Sequence, residues 1–243
     1  MSKIEGFLSK NIEAFRKRYP DMVDVIVQAK AEDIEVGIDD AYGKKVLYAI
    51  KDDETYQLDT LYDTESLMEL WFQNLPRIYY RAKIIMFGLG NGMYVRKLLS
   101  EIPSDVTVIV YEPKACILQK VIEEFDISDL IQNEQFVLLL DDAMVKTPQE
   151  YLYELFDYTD IDSFIYKAYL NYNRLFTVQF MEYMETLQIA LSSINSTQNV
   201  IGRFGKIYYE NTFANMKCFL KSKSFESLVY KTPKDVPAIV VAA

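Results

Sequence analysis

Ile4, Phe7, Leu8, Ile12 and Phe15 recur at three- and four-residue spacing behind Ser2, a plausible cap, and the pattern stops at Pro20. That spacing predicts an amphipathic helix over Ser2 to Arg18. From Val23 to Leu58 the period changes. Short runs rich in β-branched and aromatic residues (Asp24–Val27, Ile34–Ile38 and Val46–Ile50) are separated by polar turns such as Asp39–Gly43, and they predict a small antiparallel sheet.

Helical spacing returns at Thr64 with Leu67, Met68, Leu70, Trp71 and Leu75, and strand and helix then alternate. Apolar strands are predicted at Ile84–Phe87, Val106–Tyr111, Phe136–Leu140 and Ile161–Tyr166. Helices are predicted at Tyr94–Leu99, Lys114–Phe125 and Pro148–Phe156. Strands apolar on both faces and separated by helices belong to a parallel sheet covered on each side. The fold class is therefore α/β: a Rossmann-like, methyltransferase-like parallel sheet with a small N-terminal α+β (antiparallel) subdomain and C-terminal helices. Those last helices are predicted at Arg174–Ile194 and Arg203–Leu220, the second carrying Asn211 and Asn215 on one face. The expected domains are residues 1–63 (helix plus antiparallel sheet), 64–232 (the Rossmann-like unit with its helices) and 233–243. The last segment, ending in the apolar run Pro237–Ala243, reads as a linker and the first strand of a further domain.

Composition narrows the chemistry. A chain of 243 residues, half hydrophobic, can bury a full core, and its net charge of −10 disfavours nucleic acid and anionic membrane surfaces as partners. No apolar run reaches the roughly 18 to 20 residues of a membrane helix, and the first twenty residues lack a signal-peptide core. The expected location is cytoplasmic. There is no histidine, so Ser-His and Cys-His nucleophile pairs are excluded, and any chemistry would use carboxylates, lysine, tyrosine or a cofactor. Cys116 and Cys218 have no ligand set to join. No metal site is expected, and both read as buried thiols. Most of the 19 tyrosines and 14 phenylalanines are expected in the core.

The candidate chemistry sits at Gly88-Leu89-Gly90-Asn91-Gly92, between the first parallel strand and its helix. Glycines let the chain turn tightly and approach a ligand, and a helix N-terminus offers free amide hydrogens. The Gly-x-Gly-x-Gly spacing looks more like the first motif of S-adenosylmethionine-dependent methyltransferases than the dinucleotide Gly-x-Gly-x-x-Gly. Glu112, ending the next strand in Tyr111-Glu112-Pro113, could accept hydrogen bonds from ribose hydroxyls. Asp141 and Asp142, after the third strand, could face an adenine-like ring. The nucleotide-binding candidates are thus Gly88, Gly90, Asn91, Gly92, Glu112, Asp141 and Asp142, with the cofactor left open between a nucleotide and S-adenosylmethionine. The same residues also fit a structural role: a sharp strand-to-helix turn, a solvated carboxylate, and a capping pair for the segment after Ala143.

Several pieces together resemble the amino-terminal part of the motility-associated factor glycosyltransferases. They are Tyr56-Gln57-Leu58 with Leu61-Tyr62-Asp63, the turn Phe87–Gly92, Tyr111-Glu112-Pro113, the Asn211/Asn215 helix and the closing Pro237–Ala243. The resemblance covers nearly the whole chain. It implies a flagellin-modifying protein that transfers a sialic-acid-like sugar from a cytidine monophosphate donor to serine or threonine. The catalytic centre is implied to lie in a central domain resembling an archaeal pterin diphosphokinase, which the Pro237–Ala243 strand would open. This chain would then be an accessory Rossmann-like domain, not itself catalytic, that positions flagellin or partner subunits. Where family members often carry His-Pro after the fourth strand, this chain has Tyr166-Lys167-Ala168-Tyr169. Two other functions stand beside this one: a methyltransferase or nucleotide-binding module using the glycine turn, and an interaction domain whose Tyr- and Phe-rich faces form a homo-oligomer. The helical Arg174–Leu220 region, in place of a closing hairpin, counts against a methyltransferase.

Overall fold

The computed structural model describes residues 3–30, 33–60, 64–155 and 164–222. The chain forms two units, Met1–Asn195 and Ser196–Ala243. The closing run Pro237–Ala243 and the Leu61-Tyr62-Asp63 segment lie outside the described residues.

The first unit opens with helices α1 (Lys3–Arg18) and α2 (Pro20–Val27). The run Asp24–Val27, expected as a strand, is the second half of α2. Pro20 ends one helix and occupies the first turn of the next, where its missing N–H costs nothing. Val23 and Ile26, three apart, then share the buried side of α2 while Val27 faces water, so burial at helical spacing overrides the β-branched composition. Strands β1 (Glu35–Ala41), β2 (Lys44–Lys51) and β3 (Glu54–Gln57) follow as an antiparallel sheet in the order β1-β2-β3. Its third strand lies beyond the runs singled out in the sequence.

After α3 (Thr64–Gln73), a parallel sheet is built from β4 (Lys83–Phe87), β5 (Thr107–Glu112), β6 (Phe136–Leu140) and β7 (Phe164–Ala168), in the order β6-β5-β4-β7. Between them lie α4 (Met93–Glu101), α5 (Ala115–Glu124), the short α6 (Ser128–Gln132), a 3₁₀ turn at Asp141–Ala143 and α7 (Pro148–Leu155). A Rossmann-like α/β fold with a small antiparallel sheet is thus present, as the alternation of strand and helix predicted. Ile84 to Phe87 and Val108 to Glu112 are buried throughout, as a doubly covered sheet requires. Buried Asn11 holds α1 to the sheet's helical layer. Its amide donates to the carbonyls of Ile122 (2.8 Å) and Phe125 (2.7 Å), and its oxygen accepts from Ile127 N–H (2.9 Å). Arg18, at the end of α1, donates to the Ile131 carbonyl (2.9 Å) and to that of Phe136 at the start of β6.

Successive strands β4, β5 and β6 move one way across the sheet, and the chain then returns to set β7 on the other side of β4. The C-terminal ends of β4 and β7 therefore flank the topological switch point, where open α/β sheets bind ligands.

Beyond β7 come one short helix, α8 (Tyr172–Leu175), and α9 (Thr177–Lys221). Two helices were expected over Arg174–Ile194 and Arg203–Leu220; the helix instead runs through Ser196, Thr197 and Gly202, whose low propensities are too weak to break it. The second unit is described from Ser196 to Ser222 and is helical up to Lys221. No described helix is long and apolar enough to cross a membrane.

Candidate functional site

The turn after β4 folds as glycine permits. Gly88 and Gly90 have φ of +93° and +57°, values that side chains oppose. Gly88 N–H donates to the Tyr111 carbonyl at 2.7 Å, locking the turn to β5. Asn91 Oδ1 accepts from Met93 N–H at 3.0 Å, which starts α4 without leaving that amide bare.

What fills the space in front of the turn is protein. A Cβ on Gly88 would lie 2.4 Å from the ring of Tyr172, and one on Gly90 2.2 Å from the ring of Tyr169. Both tyrosines are buried and follow β7 directly, so they come from the far side of the switch point. Tyr169 N–H continues the β-ladder by donating to the Phe87 carbonyl at 2.8 Å. Asn171 donates to the Gln57 carbonyl at 2.7 Å, which ties α8 to β3. The rings of Trp71, Tyr94, Tyr169, Tyr172 and Phe176 form a continuous chain of contacts with centroids 5.0 to 5.9 Å apart.

Two buried carboxylates anchor these tyrosines. Glu112, fully buried at the end of β5, accepts from Leu89 N–H at 2.9 Å and from the Tyr172 hydroxyl at 3.1 Å. The same hydroxyl accepts from Gly90 N–H at 3.2 Å. Asp59, just past β3, accepts from Leu47 N–H and from the Tyr169 hydroxyl, each at 2.9 Å, and from the Asn91 amide. Burial pushes the Glu112 carboxyl up to about 8 and that of Asp59 up to about 6, because the charged form loses more hydration than these donors return. At neutral pH Glu112 is thus held mainly as the neutral acid.

Of the sequence-predicted residues, Gly88, Gly90, Asn91 and Glu112 are therefore gathered at one place, with Gly92 at the start of α4 against Leu130. The amide hydrogens of Leu89 and Gly90, which a nucleoside would engage, are already bonded to Glu112 and Tyr172. Asp141 and Asp142 make no hydrogen bond to these residues, although Asp142 is near enough for its charge to add to the upward push on Glu112. Asp142 accepts from Ala115 N–H at 2.7 Å and so caps α5, not the segment after Ala143. Asp141 accepts a bond from the Tyr111 hydroxyl. Beside Asp142 lies a cavity of 430 Å³ whose lining includes Lys114, Cys116, Asp24 and Asp33. Burial there raises the Cys116 thiol to about 11, so it is no nucleophile at neutral pH. Cys218, expected to be buried, is exposed on α9. Among the described residues no group of three or more Cys, Asp or Glu side chains could hold a metal.

Sequence reasoning did not find Asp59, Tyr169 or Tyr172. Their only sequence signal is position: Tyr169 and Tyr172 lie one turn apart just after the strand that closes the switch point.

Fold and site define a Rossmann-like α/β unit whose switch-point crevice is closed by its own side chains. No protein-family model matches the chain, and no curated protein does. Among solved structures, the MAf glycosyltransferase from Magnetospirillum magneticum AMB-1 is similar with a TM-score of 0.45 and 14% identity over 76% of this chain. The chain spans 35% of that protein.

Proposed function

We propose that this chain is an accessory, non-catalytic Rossmann-like part of a flagellin glycosyltransferase of the motility-associated factor kind, acting in the cytoplasm to position the protein substrate. The observation that carries the non-catalytic half is the tyrosine-filled turn. A methyl donor or nucleotide needs the space of Tyr169 and Tyr172 and the amides of Leu89 and Gly90, and all of these have partners within the fold. The flagellin half rests on the sequence resemblance carried by Phe87–Gly92, Tyr111-Glu112-Pro113 and Asn211/Asn215.

Two measurements test the two halves. Titration calorimetry of the chain with S-adenosylmethionine and with cytidine monophosphate is expected to give no binding heat. A micromolar Kd for either would instead favour the nucleotide-binding reading, which the placement of Glu112 at a strand end beside a glycine turn otherwise supports. Biolayer interferometry against purified flagellin is expected to show saturable binding, and a flat response would remove the positioning role.

A further inference from the structure

Among its described residues, the second unit presents a helix with no core of its own. Between Val200 and Leu220 ten large apolar side chains are exposed, Phe219 by 79% and Tyr209 by 70%. From Val200 to the end of the helix at Lys221 the charged residues, Arg203, Lys206, Glu210, Lys217 and Lys221, recur at three-, four- and seven-residue spacing and so form one narrow stripe. The rest of the circumference is apolar or neutral, which is the pattern of a helix buried on more than one side. Its four cations against one carboxylate give it a positive charge within a chain of net −10.

The first unit carries a surface of the opposite kind. Along one side of α9, from Val178 to Asn195, runs a groove of 1020 Å³. It is lined by Tyr166 of β7 and by Val178, Met181 and Leu191, with Glu182 and Glu185 as its charged groups. Val178 and Met181 are each 65% exposed. Asn211, Thr212 and Asn215 of the second unit place side-chain donors and acceptors within an otherwise apolar patch. The lengths agree: at about 1.5 Å per residue the groove-lining stretch of α9 is roughly 26 Å long and the exposed Val200–Leu220 stretch roughly 30 Å.

We propose that the chain associates with a second copy of itself, the basic apolar helix of each copy lying in the acidic apolar groove of the other. Apolar surface, sign of charge and length match between the two surfaces, and the exchange is reciprocal, as a two-fold symmetric pair requires. This inference does not depend on whether the glycine turn is closed.

Light scattering on the 243-residue chain is expected to give twice its 28.4 kDa mass at micromolar concentration. A monomer at about 100 µM overturns the proposal and assigns the helix to a different protein. Two charge-reversed variants then test the surfaces: Glu182→Lys with Glu185→Lys in the groove, and Arg203→Glu with Lys217→Glu on the helix. All four positions lie on the surface of α9, so far-UV circular dichroism should match the parent. Each variant alone is expected to dimerise at least tenfold more weakly, and a mixture of the two is expected to recover the parent affinity to within about threefold. If either variant dimerises like the parent, or the mixture is no tighter than its components, the proposed surfaces are wrong.

Discussion

The switch-point crevice and the exposed helix of α9 use the same residue types to opposite ends. At the crevice, tyrosines are wedged against glycines, their rings are buried and their hydroxyls satisfied by Glu112 and Asp59. On α9, Tyr208, Tyr209, Phe213 and Phe219 lie in water. Glycine spacing that signals a ligand turn can thus serve the protein's own side chains, while a helical stretch without a ligand-binding pattern carries the surface most in need of a partner. Gly90 and Gly202 condense the contrast. A Cβ at Gly90 collides with Tyr169 at positive φ, whereas one at Gly202 meets nothing within 4 Å.

The largest effect is expected at the crevice. Gly90→Ala combines overpacking, at about 1 to 3 kcal/mol, with a left-handed residue, at about 1 to 2 kcal/mol, and should destabilise the chain by about 2 to 5 kcal/mol in urea unfolding. A loss below about 1 kcal/mol would mean that Tyr169 can withdraw, and that the crevice can open. Tyr172→Phe leaves Gly90 N–H without an acceptor and removes a donor from Glu112, so a loss of about 2 to 3 kcal/mol is expected. An unchanged urea midpoint would show the hydroxyl to be dispensable.

The buried acids add a pH dependence. Glu112 and Asp59 have folded values raised to about 8 and about 6, above ordinary values of 4.5 and 3.8. In those windows the folded chain holds more protons than the unfolded one, so stability falls as pH rises. The Glu112 contribution is complete below about pH 4.5 and gone by about pH 8. Unfolding at about pH 5 and about pH 8 should therefore show a loss that Glu112→Gln reduces; equal losses in parent and variant would contradict a raised Glu112.

Smaller effects come from outside the crevice. Asp142→Ala removes the cap on Ala115 N–H and is expected to cost about 1 kcal/mol, with no change in the crevice tyrosines by near-ultraviolet circular dichroism. Gly202→Ala should stabilise α9 by about 0.5 to 1 kcal/mol, opposite in sign to Gly90→Ala. Destabilisation there would indicate that the helix is already tightly covered at Gly202.

The alternation of four apolar strands with helices α4, α5 and α7 was determined by sequence alone, because apolar strands of about four to six residues separated by amphipathic helices admit few arrangements, while the short α6 carried no such pattern. The strand-to-helix turn at Gly88–Gly92 and the place of Glu112 at a strand end were equally legible, since both are local. Local patterns failed at Asp24–Val27, where the side that is buried, not the β-branched content, chose a helix. They also failed between Ile194 and Arg203, where no breaker was strong enough to interrupt the helix. The occupant of the crevice was decided only by tertiary structure. Tyr169 and Tyr172 lie about eighty residues from the glycines, and Asp59 about thirty before them; they meet because β7 returns beside β4. A ligand site and a site filled by the protein itself need the same glycines, the same carboxylate and the same amides. They differ only in which group arrives through space, and spacing along the chain does not encode that.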